Sequence, residues 1–72
     1  MDFRYEKLET IAVLSTNPKT GWRRELNLLS WNGNEPKYDI RDWSADGVKM
    51  GKGIGLTKDE LAVLAEAVKG VL

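Results

Sequence analysis

Seventy-two residues with eleven cationic and eleven anionic side chains, a net charge of zero, no Cys and no His exclude several classes of protein at once. A chain this short makes one domain at most, 1–72, burying only roughly 60% of its unfolded surface. Lacking a disulfide framework or a thiolate zinc site to staple it, it is expected to assemble as a homodimer.

Zero net charge argues against a protein that holds nucleic acid by bulk attraction. No apolar run is long enough to cross a bilayer. The start, Met1-Asp2-Phe3-Arg4, lacks the basic region and apolar stretch of a leader, so the expectation is a soluble, cytoplasmic protein. Charge is not spread evenly. Both ends carry a slight negative excess, while the middle holds Lys19, Arg23, Arg24, Lys37, Arg41, Lys49 and Lys52 together with all three tryptophans, Trp22, Trp31 and Trp43. Glu25, Glu35, Asp39, Asp42 and Asp46 dilute those cations.

In chain order, residues 3–15 are rich in β-branched and aromatic side chains and predict a strand, with Leu8, Thr10, Ala12 and Leu14 on one face and Ile11 and Val13 on the other. Asn17-Pro18-Lys19-Thr20-Gly21 is a turn, and a second strand follows over 22–31. Its first half is charged on both faces, so one face looks at water or at a ligand. Asn32-Gly33 signals a tight turn, and Pro36 holds the residue before it extended. The third strand, 37–43, places Lys37, Asp39, Arg41 and Trp43 on one face and Tyr38, Ile40 and Asp42 on the other. After an Asp46-Gly47 turn and a glycine-rich approach comes a short fourth strand, Gly53 to Leu56. Thr57 and Glu60 then form a capping box, opening a helix in which Leu61, Leu64, Val68 and Val71 recur at spacings of three and four among alanines. Such a helix can pack against the sheet and against a second copy of itself. The class is α+β, a four-stranded antiparallel sheet with one C-terminal amphipathic helix.

Without His or Cys the chain has no ordinary general base near neutral pH, no thiolate nucleophile and no common transition-metal ligand. Asp39 with Asp42, or Asp59 with Glu60, sit beside cations or in a capping role. No enzyme, metal site or cofactor is expected. Gly51-Lys52-Gly53-Ile54-Gly55 lacks the spacing of a phosphate loop and reads as a turn entering a strand, although its glycines would let Lys52 meet a phosphate. Each tryptophan alone reads as core. Together, interleaved with cations, they fit a sheet that binds single-stranded nucleic acid, with bases stacked on rings and cations on the intervening phosphates. Single-stranded RNA remains an alternative ligand, as does a protein partner bound through an exposed apolar patch.

Tyr38-Asp39-Ile40-Arg41-Asp42-Trp43, then Lys52-Gly53-Ile54-Gly55-Leu56-Thr57 and the terminal helix, resemble the transcriptional coactivator family known as positive cofactor four. Over most of the chain the resemblance is closer to its bacterial YdbC-like members. It implies a homodimer joined through helices and sheet edges, whose β-surfaces hold single-stranded DNA with little sequence preference. The family's binding residues carry over to Arg41, Trp43, Lys52 and Trp31. The lysine-rich hairpin of the eukaryotic members is replaced here by Asn32-Gly33-Asn34-Glu35 with only Lys37 nearby, which shifts the expected phosphate contacts toward Lys19, Arg23 and Arg24. The nucleic-acid-binding set is thus Lys19, Trp22, Arg23, Arg24, Trp31, Lys37, Arg41, Trp43 and Lys52, and the dimer interface is expected at Leu61, Leu64, Ala65 and Val68. Residues 1–72 hold no counterpart of the regulatory tail of the eukaryotic proteins, so the resemblance is expected to extend to the binding module alone.

Overall fold

The structure, a computed structural model, describes residues 4–72. Met1 to Phe3 lie outside the described residues, and with them the first residue of the expected first strand. The elements are β1 (Tyr5–Thr16), β2 (Arg23–Trp31), β3 (Lys37–Trp43), β4 (Met50–Leu56) and α1 (Lys58–Lys69). The four strands form one antiparallel sheet in the order β1-β2-β3-β4. This is the α+β arrangement the sequence predicts.

Local chemistry fixes the turns. The side-chain oxygen of Asn17 accepts hydrogen bonds from the backbone N–H of Lys19 and Thr20, at 2.9 and 3.2 Å, closing the β1–β2 connection. At the next corner Asn32 and Gly33 both take positive φ, 52° and 76°, the backbone that an Asn-Gly pair adopts at least cost. Between β3 and β4, Asp46 accepts from the Ser44 hydroxyl at 2.6 Å and from the Val48 N–H at 3.0 Å.

β1 departs from simple alternation. Its twelve residues face nine of β2, because single extra residues, Leu8, Ile11 and Leu14, interrupt the register at three points. A bulge places two residues opposite one and bends the bulged strand, so the apolar side chains recur every three residues and the expected two-residue pattern is lost. β4 begins at Met50, earlier than expected, its glycines giving little strand signal. α1 opens as predicted: the Thr57 hydroxyl accepts from the Glu60 N–H at 3.1 Å, and the Glu60 carboxylate accepts from the Thr57 N–H at 2.8 Å. The helix stands away from the sheet, with none of its residues buried.

The two sheet faces differ. Direct pairing puts Arg23, Glu25, Asn27 and Leu29 of β2 on the same face as Trp43, Arg41, Asp39 and Lys37 of β3. All the buried strand residues lie on this face: Glu25, Asn27, Leu29, Asp39 and Trp43. No helix covers them, so the face buries its short polar residues under its own long side chains. The opposite face, with Leu26, Leu28, Tyr38 and Ile40, is only partly covered.

Candidate nucleic-acid interface

The self-covered face is built in two layers. Below lie Glu25, Asn27, Asp39 and Trp43; above lie Lys7, Arg23, Arg41 and the rings of Tyr5 and Trp31. A buried carboxylate is tolerated only when paired, and each has its partners. Glu25 accepts from Asn27 Nδ2 at 3.0 Å and from Lys7 Nζ at 3.3 Å, and its second oxygen lies 2.8 Å from Arg23 Nη2. Burial pushes the Glu25 carboxyl up, but the hydrogen bonds of Asn27 and Lys7 with the charges of Lys7 and Arg23 outweigh it and hold the group below its ordinary value.

Asp39 is fully buried and takes Arg41 in a fork: Nε at 2.7 Å to one oxygen and Nη2 at 2.8 Å to the other. The third guanidinium nitrogen, Nη1, donates to the Gly51 carbonyl at 3.3 Å and approaches Met50 Sδ at 3.4 Å. Arg41 lies across its partner on β4, Gly53. A Cβ at Gly53 would collide with Arg41 Cβ and come within 2.7 Å of Arg41 Nε. Within the glycine run it is Gly53 that makes room for the Arg41 side chain, a role the sequence pattern does not reveal. Over this slot the guanidinium sits 4.8 Å from the Trp31 ring centroid, within range of a cation–π contact.

An aromatic row completes the layer. Tyr5 tilts against Trp31 at 6.0 Å between centroids and against Trp43 at 5.5 Å, and Lys7 Nζ stands 4.1 Å over the Trp43 ring. Tyr5 and Lys7 were not singled out from the sequence. The signal was their alternation around Glu6, which continues the face on β1 before the first bulge.

The structure divides the sequence-predicted set. Arg23, Trp31, Lys37, Arg41 and Trp43 share the layered face. Trp43 has no exposed surface and lies under Tyr5 and Lys7, whereas Trp31 is partly exposed. Arg24 belongs to the opposite face, where it pairs with Asp42 at 3.0 Å; that hydrogen bond and charge raise its already high pKa. Trp22 sits at the hairpin end, between a groove of about 320 Å³ shared with Ser44, Ala45 and Lys49 and another of about 300 Å³ shared with Asn17, Arg24 and Asp42. It immediately precedes β2 and lies nine residues from Trp31, an odd separation that in extended chain turns the two side chains to opposite faces. Lys19 is exposed in the β1–β2 turn, and Lys52 is exposed where an extra β4 residue interrupts the pairing with β3. Among the described residues, no carboxylate lies within ion-pair distance of Lys19, Lys37 or Lys52.

On the helix, Leu61 is partly covered, Ala65 is exposed, and Leu64 and Val68 are 41% and 37% exposed. Among the described residues no helix is long and apolar enough to cross a membrane, and no group of three or more acidic, His or Cys side chains is placed to hold a metal.

Comparison with known proteins returns two findings. The family model described as Transcriptional Coactivator p15 (PC4) matches residues 19–67, from the β1–β2 turn into α1. An uncharacterized protein of Treponema pallidum (strain Nichols) is 46% identical over 70 residues, covering 97% of this chain and 81% of the relative.

Proposed function

The chain belongs to the transcriptional coactivator p15 (PC4) family, and on that premise we propose that it binds single-stranded DNA, with little sequence preference and without catalysis, as a homodimer. The observation that carries this reading is the layered face: a partly exposed Trp31 backed by the Arg41 guanidinium at 4.8 Å, with the exposed Lys37 on the neighbouring strand and Arg23 at the far end of β2 on the same face. An aromatic ring held against a cation accepts an unpaired base of any identity, and nearby cations meet the phosphates between bases. Trp43, fully covered, supports the platform from below. Lys19, Arg24, Lys52 and Trp22 lie on the hairpin end and the β4 edge, where a strand leaving the platform would pass. Placement in the cytoplasm, in contact with the nucleoid, goes with this role.

The homodimer rests on the uncovered apolar side chains. Leu64 and Val68 of α1 and Ile54 of β4, the last 58% exposed, are left open by the single protomer. A second copy meeting the Leu61, Leu64, Ala65 and Val68 face would cover the helix.

Titration of a fluorescent oligothymidine at low salt tests the function, with anisotropy and tryptophan emission followed together. Anisotropy should rise and emission fall, and the log–log salt slope should be about −0.7 for every phosphate neutralised. No response would remove the nucleic-acid reading. Stronger competition from a matched RNA would move the ligand to RNA.

A further inference from the structure

We infer that Asp39 and Gly53 are positioning residues that never touch the ligand: together they hold Arg41 as a rigid plate against Trp31, so that Arg41 acts on bases through the ring and does not bind a phosphate. The inference rests on the nucleic-acid reading above.

Four of the five guanidinium N–H groups of Arg41 have acceptors within the protein, two on the Asp39 carboxylate and the Nη1 pair on the Gly51 carbonyl and the Met50 sulfur, which leaves one Nη2 N–H and no open fork. The side chain is only 16% exposed. A phosphate taking the Arg41 fork would have to displace Asp39, leaving a carboxylate of zero exposure without its counter-charge, which is strongly unfavourable. The absence of a Cβ at Gly53 lets the arginine lie flat across β4; a side chain there would meet Arg41 Cβ and Nε and the Ile40 carbonyl. What Arg41 does present is its charge, with the guanidinium carbon over the Trp31 ring, 4.8 Å from its centroid. A fixed cation on a ring polarises it and restricts its rotation, and a ring already held in place loses less freedom when a base stacks on it.

The two roles for Arg41 predict opposite results for D39N. Removing one negative charge from a neutral protein and releasing Arg41 should tighten binding and steepen the salt slope by about 0.7 if Arg41 is a phosphate ligand. If Arg41 is a plate, D39N should instead weaken oligothymidine binding by about tenfold, within the share of one base's stacking, with the salt slope unchanged. R41K, which keeps the charge and loses the planar fork, should show the same loss and the same unchanged slope. If D39N proves unfolded by circular dichroism, R41M decides: it removes the charge, so the slope changes by about 0.7 if Arg41 binds a phosphate and stays unchanged if Arg41 is a plate. Binding by D39N or R41K equal to or tighter than wild type, or a slope altered by about 0.7, overturns the inference while leaving nucleic-acid binding intact. Failure of the wild type to bind overturns both.

Discussion

Glu25 joins three partners on one buried carboxylate, Asn27, Lys7 and Arg23. Its folded-state pKa lies below the ordinary 4.5. The ionised group therefore contributes its full stabilisation above that unfolded-state value and loses it as pH falls through the lower folded value. E25Q keeps the shape and removes the charge. At pH 7 it should cost roughly 2 kcal/mol, less than the 3–5 of a fully buried pair because Lys7 and Arg23 are partly exposed. Urea midpoints measured from pH 7 downward should show wild type and variant converging below pH 4.5; a constant gap would mean the charge adds nothing. These pairings were only half visible in the sequence. The alternation Lys37, Asp39, Arg41, Trp43 placed acid and base on one face, as observed, but charged alternation reads equally as a solvent or ligand face. That the carboxylates lie underneath depends on Lys7 arriving from β1 and on Gly53 giving Arg41 room, both set by strands distant in sequence.

Elements differ in how plainly their residues announce them. β3 spans 37–43 as predicted, because Pro36 and the turn after Trp43 bound it. The α1 start is equally plain, since a capping box is written in two side chains three residues apart. For β1 the local pattern suggests a period of two, whereas the bulges at Leu8, Ile11 and Leu14 follow from pairing with β2 and leave no local mark. A helix of twelve residues is marginal in water when little packs against it, so the Thr57 cap matters more here than on a buried helix. T57A should cost about 1 kcal/mol and T57S much less, read from urea unfolding and from the far-UV helical signal. Equal stability of T57A and wild type would place the helix start under other control.

The whole protomer is open for its size. Its radius of gyration is 13.2 Å and its extents are 40 × 34 × 18 Å, whereas ordinary compactness for this length gives roughly 11 Å. Among the described residues only Leu29 and Trp43 are buried hydrophobics, a core smaller than a lone domain of this size needs. The sequence pointed to the same shortfall through length and lack of Cys, and the helical periodicity named the side chains that remain open. It did not reveal that α1 would stand off its own sheet. V68E should halve the mass measured by sedimentation equilibrium, and the wild-type urea midpoint should rise with protein concentration; a monomeric wild type at micromolar concentration would remove the dimer. No residue of α1 is buried within one chain, so in the proposed homodimer the burial that stabilises the helix is an encounter between two chains. On that proposal refolding should gain a second-order phase whose half-time lengthens on dilution, and a chain leaving the ribosome would carry its helix uncovered until another arrived.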